Sequence, residues 1–141
     1  MRNLIVIILV ILSCVASTPL QKGVLSVKIK GFRSDKGSLM IALYNSTKTY
    51  MKEPKALSKK VVKIQNKQAQ VTFKDLAYGN YAFVFFHDAN DNRKLDKNLV
   101  GIPKEAYGFS NNARGTFGPP SFQSAKVVLN KTKYETTVLV K

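Results

Sequence analysis

The chain has 141 residues, enough for one domain, and carries 23 Lys and Arg against 8 Asp and Glu, a net charge of +15. A single cysteine excludes an internal disulfide framework, and a single histidine beside it argues against a transition-metal centre. The charge would suit nucleic acid, but Lys28, Lys30, Lys59, Lys60, Lys63, Lys126, Lys131 and Lys133 are dispersed, without an Arg-rich helix or aromatic-basic interleaving. No nucleic-acid partner is expected, and the surface reads as a solvated polycation.

Residues 1–17 read as a secretory signal peptide. Met1-Arg2-Asn3 is positive, Leu4 to Leu12 is unbroken aliphatic, and Ser13-Cys14-Val15-Ala16-Ser17 is small. The apolar run is about half of the roughly 20 residues that a membrane-crossing helix needs. The expected product is an exported protein, periplasmic or secreted, with a cysteine-free domain over 18–141. Ile11-Leu12-Ser13-Cys14 loosely resembles a lipobox, although Leu12 stands where a small residue is usual. Lipidation at Cys14 is therefore the minority alternative, and with it membrane attachment.

Period-two patterns then dominate. Leu25, Val27 and Ile29 alternate with Ser26, Lys28 and Lys30 up to Gly31. Asp35-Lys36-Gly37 predicts a turn that returns Ser38–Tyr44 beside the first strand as a hairpin. Asn45 to Ala56, with Ser46, Thr47 and Pro54, is a connection with room for one helical turn. Val61, Val62 and Ile64 predict a short strand, and Asn66-Lys67 a turn into Ala69, Val71 and Phe73. From Asn80 to His87 both faces are apolar, with Tyr81, Phe83 and Phe85 on one and Ala82, Val84 and Phe86 on the other. Such a strand is central and covered twice, by the core and by a lid for which the segment 89–121 is the candidate. Gly79 is expected to swing the chain into it at a positive φ. Phe122 to Leu129 and Tyr134 to Val140 close the chain. About seven strands, no long amphipathic helix and no repeat predict an all-β fold, an antiparallel immunoglobulin-like β-sandwich with one long functional loop.

Chemistry concentrates after the central strand. With Asp88 as position 1 of a calcium loop, Asn90, Asn92 and Asp96 fall at positions 3, 5 and 9, and the Lys94 carbonyl at 7. Arg93 replaces the Gly of position 6 and Leu99 the Glu of position 12, so Glu105 is the candidate to supply the missing carboxylate. A surface turn whose Asp and Asn side chains bond their own backbone is the competing reading. His87 shares a face with Phe83 and Phe85 and reads as a structural histidine; a catalytic base would need Asp88, Glu105, Ser110 or Ser121 brought beside it. Tyr107, Phe109 and Asn111, with His87, are candidates for a glycan or peptide groove.

Leu76-Ala77-Tyr78-Gly79-Asn80-Tyr81 resembles the Leu-x-x-Gly-x-Tyr signature of transthyretin-like and Cna-B-like sandwich domains. Three further stretches follow: Gly101-Ile102-Pro103, Tyr107 to Asn111, and Gly118-Pro119-Pro120-Ser121-Phe122. With His87 to Asp96, they make the chain from Leu25 to Val140 similar to the bacterial domain-of-unknown-function family 2141. The resemblance implies a small exported sandwich protein, mostly without assigned activity, and is nearly silent on function. Transthyretin-like hydrolases need a second histidine and a C-terminal Tyr-Arg-Gly-Ser, and both are missing here. The expectation is an exported, monomeric binding or structural module of the envelope, with calcium as its only candidate cofactor. Its partner would be a glycan, peptide or envelope component. A hydrolase-like enzyme using His87 with Asp88 or Glu105, and a cationic adhesion protein for anionic polymers, are the alternatives.

Overall fold

Alternating apolar residues bury one face of each strand, and two such faces close on each other. The computed structural model describes residues 19–140, so the signal-peptide and Cys14 readings lie outside the described residues. The strands are β1 (Lys22–Lys30), β2 (Ser38–Tyr44), β3 (Ser58–Lys63), β4 (Gln68–Ala77), β5 (Gly79–Asp88), β6 (Tyr107–Phe109), β7 (Val127–Leu129) and β8 (Lys133–Leu139). One helical turn, α1 (Phe122–Ala125), precedes β7. One sheet has the order β4-β1-β8. The other runs β3-β2-β5-β6, with β7 also on β5. The fold is an all-β sandwich. Every pairing is antiparallel except that of the first and last strands, β1 and β8, which run parallel.

The main core lies between the sheets. Leu25, Val27 and Ile29 of β1 and Val71 and Phe73 of β4 meet Leu39, Ile41 and Leu43 of β2 and Tyr81, Phe83 and Phe85 of β5. Fully burying each of these side chains contributes about 1.5–3 kcal/mol. Where β5 begins, the Tyr81 hydroxyl donates to the Ala77 carbonyl at 2.6 Å. This is a tyrosine corner, and it explains the Leu-x-x-Gly-x-Tyr spacing. Gly79 does not take the positive φ expected of it; at this corner Asp75 does, at φ 56°.

Four other expectations are corrected. β1 and β2 do not form a hairpin but lie in different sheets. The buried Phe32 carries the connection across the core, and the Asp35 carboxylate accepts the N–H groups of Asn66 and Lys67 in the β3–β4 turn. Phe122 to Leu129 is not one strand, because the Ser121 hydroxyl caps α1 through the Ser124 N–H before β7 starts. The segment 89–121 contains an eighth strand, β6, and a 3-10 turn over Ser110–Asn112. The second face of β5 is indeed covered at Ala82 and Val84, but by Phe122, Ala125 and Tyr50 together with Phe109 and Ala113. The stretch from 89 to 106 takes no part in that cover.

Candidate functional site

β5 delivers His87 and Asp88 to one end of the sandwich, where the chain enters the loop leading to β6. Opposite them β2 begins, with Ser38 paired to Asp88. Gly37 passes so close to the Asp88 carbonyl that a Cβ would overlap it, and its φ is +80°, so only glycine fits. The Ser38 hydroxyl donates to Asp91 at 2.7 Å, tying the loop to β2. Asp91 escaped the sequence reading because it falls between the expected ligand positions.

Asp88 is 1% exposed. Its two carboxylate oxygens accept the N–H groups of Asn92 at 3.1 Å and Arg93 at 2.7 Å. Asp91 and Arg93 take positive φ, 56° and 62°. Arg93 thus makes the turn for which position 6 of a calcium loop ordinarily uses Gly. The Asp96 carboxylate accepts the amide NH2 groups of Asn90 at 2.8 Å and Asn92 at 3.1 Å. The amide oxygens accept from the backbone instead, Asn90 from Asn92 and Asn92 from Lys94. Glu105 receives the Ala89 N–H at 2.9 Å and the Asp96 N–H at 3.0 Å, clamping the loop's entry to its exit. Asp88, Asn90, Asn92 and Asp96 are therefore brought together, with Glu105 at the rim. Leu99, at position 12, is fully exposed.

These are Asx-type bonds, as the competing reading expects. Among the described residues no group of three or more His, Cys, Asp and Glu side chains is placed to hold a metal ion. A hard cation here would draw on the carboxylates of Asp88 and Asp96, on the Asn90 and Asn92 amide oxygens after a half-turn of each amide, and on the Lys94 carbonyl.

His87 is 5% exposed. Its Nε2 lies 2.7 Å from the Lys36 carbonyl, so Nε2 carries the hydrogen, and Phe32 packs edge-on against the ring at 5.3 Å. Glu105 shares a surface hollow with it, but both Glu105 oxygens are engaged by backbone. Neither serine joins them. The buried Ser110 hydroxyl accepts the Phe83 N–H and donates to the Ala125 carbonyl, and Ser121 caps α1.

Tyr107 and Phe109 stand edge to face at 5.9 Å and line a shallow cleft of about 220 Å³ with Ala113, Arg114 and Leu139. Asn111 does not line this cleft; its amide donates to the Ser124 carbonyl. Its neighbour Asn112 does, and accepts the Leu139 N–H at 2.9 Å. His87 opens on the other hollow, which Tyr107 also lines, so Tyr107 meets His87 on one side and Phe109 on the other and the four groove candidates do not converge on one site.

Fold and site define a small β-sandwich protein whose polar chemistry sits in the loop between two strands of one sheet. The chain belongs to the bacterial family described as "Uncharacterized protein conserved in bacteria (DUF2141)", matched over residues 27–137. Neither the curated proteins nor the solved structures gave a significant match.

Proposed function

We propose that the chain is an exported binding module of the bacterial envelope, without a catalytic step of its own, whose loop from Asp88 to Glu105 is stabilised by calcium. One observation carries this reading. Asp88, Asp91, Asp96 and Glu105 are half of the chain's 8 acidic residues, yet the ion pairs found among the described residues, Lys59–Glu53 and Lys133–Glu135, include none of them. In a protein of net charge +15, four carboxylates in one loop, none of them paired with the loop's own Arg93, Lys94, Lys97 or Lys104, are suited to an added cation. Hydrolase chemistry has less support, because His87 is committed to Lys36 and its carboxylate neighbours to backbone N–H groups.

Extracellular calcium modules bind with Kd of about 10⁻⁴ to 10⁻³ M, and two carboxylates with neutral donors place this loop at the weak end. At 10 mM calcium and a Kd of ~1 mM, mass action stabilises the fold by about 1.4 kcal/mol. That corresponds to a rise in melting temperature of roughly 3–6 °C for the protein lacking residues 1–18. Sodium chloride of matched ionic strength should do less, and so should magnesium, which demands a tight octahedron. Asp96→Asn, at a half-exposed position, and Asp88→Asn should each remove the shift. A melting temperature indifferent to calcium, or an Asp96→Asn variant that responds as the parent does, would leave these side chains as turn caps only.

A further inference from the structure

The Asp88–Glu105 segment carries a second feature that calcium does not explain. Leu99 is fully exposed, Val100 is 77% exposed and Ile102 59%. A water-soluble surface rarely gathers three aliphatic side chains within four residues, and such patches mark contact sites. The turn that presents them is ordered. The Asn98 side-chain oxygen accepts the Val100 and Ile102 N–H groups at 3.1 and 2.9 Å, the Asn98 N–H donates to Ile102, and Lys97 pairs with Pro103 at the base. Gly101, at φ +83°, closes it.

Basic residues flank this tip. Lys97 and Lys104 stand at its base, where Lys97 pairs with Pro103 and the Lys104 N–H donates to the Asp96 carbonyl, and Arg93 and Lys94 precede them in the loop. None of the four cations is in an ion pair among the described residues. The Asp96 carboxylate points into the loop toward Asn90 and Asn92. An aliphatic tip with lysines at its base matches a lipid bilayer with anionic headgroups, where side chains enter the acyl boundary and the cations meet the phosphates. A second copy is a poor occupant, since it would bring two such sets of cations face to face.

We infer that the Lys97–Pro103 turn inserts Leu99, Val100 and Ile102 into an anionic membrane surface. The inference stands on different atoms from the calcium reading and is tested in EDTA, so that either can fail alone. All strands and both apolar clusters lie within residues 19–140. The protein is therefore used without its first 18 residues, whose own apolar run would bind lipid. The chain has no tryptophan, so Leu99→Trp is a single fluorescent reporter at an exposed site. Its emission should shift to the blue with vesicles of equimolar phosphatidylglycerol and phosphatidylcholine, and not with phosphatidylcholine alone. Leu99→Ser with Val100→Ser should weaken vesicle binding by ~10-fold or more for each side chain removed, while melting as the parent does. Three outcomes would overturn the inference. They are bound protein with unshifted emission, serine variants that bind like the parent, and a blue shift that follows protein concentration without vesicles. The first two would mark adhesion by charge alone, and the third contact with a second copy.

Discussion

Tyr50 shows how a single residue can be decisive without being visible in the sequence. It lies in the connection after β2, where Pro54, Ser46 and Thr47 advertise a loop, yet its ring is set edge-on between Tyr44 and Phe122, each at 5.7 Å. Among the described residues its hydroxyl is the buried side-chain group without a partner. Burial, with the charge of Tyr44 adding to it, pushes the phenol up to about 12 from an ordinary value of 10.0. The folded state therefore keeps a proton that the unfolded chain releases above pH 10, and stability present below that pH is lost as it rises toward 12. Screening by solvent at the partly buried ring limits the effect to about 1 kcal/mol. Tyr50→Phe removes an unsatisfied hydroxyl and should stabilise by about 0.5–1 kcal/mol at pH 7. It should also flatten the decline between pH 10 and 12 relative to the parent. Urea unfolding at pH 7 and pH 11 measures both, and a destabilised variant would mean that the hydroxyl has a bonded water or carbonyl after all.

Among the elements, β5 was the most legible, because a strand apolar on both faces has one physical solution. What the sequence did not disclose is that the edge facing β5 is filled by two short strands. β6 pairs with 84–86 and β7 with 79–81, and between them the Phe83 N–H has no strand partner. Ser110 takes that place, accepting from Phe83 and donating to the Ala125 carbonyl. Nothing local distinguishes a serine with this duty from a loop serine, which is why Ser110 stands among the residues that could have joined His87. The β1–β2 hairpin failed for a related reason. Asp35-Lys36-Gly37 has hairpin chemistry, but Phe32 in the core and Asp35 on the β3–β4 turn decide the route, and both contacts are long-range. The candidate site was legible in its residue types and spacing, whereas the bonds of Glu105 to both ends of the loop needed the fold. Ser110→Ala should leave two buried backbone groups unpaired and cost about 2–4 kcal/mol. Ser121→Ala, which removes the cap of a one-turn helix, should cost only about 1 kcal/mol. Equal losses in thermal melts would show that water replaces the Ser110 hydroxyl.

At the scale of the whole molecule, charge opposes the compact state. A net +15 on 141 residues means that folding draws lysines together, and the ion pairs found among the described residues are exposed ones, Lys59–Glu53 and Lys133–Glu135. Exposed pairs contribute little, so they do not offset the repulsion. Some lysines find other partners. Lys60 donates to the Thr72 carbonyl at 2.7 Å and lies over the Phe73 ring, while Lys131 lies over Tyr134. Lys63 of β3 instead projects from the edge strand, where its charge guards against pairing with another chain. The Debye length falls from about 20 Å near 20 mM salt to about 4–5 Å near 0.5 M, shorter than most distances between surface charges. Raising sodium chloride across that range should therefore stabilise the protein by about 1 kcal/mol, a melting shift of roughly 3–6 °C. Sodium sulfate at equal ionic strength should exceed it, because an excluded anion adds to the screening. Lys63→Gln, at a lysine without an ion pair among the described residues, should reduce the salt response and raise the melting temperature at 20 mM salt. A melting temperature flat in sodium chloride would mean that the lysines are already far enough apart for water alone to screen them, and that the high positive charge has no bearing on stability.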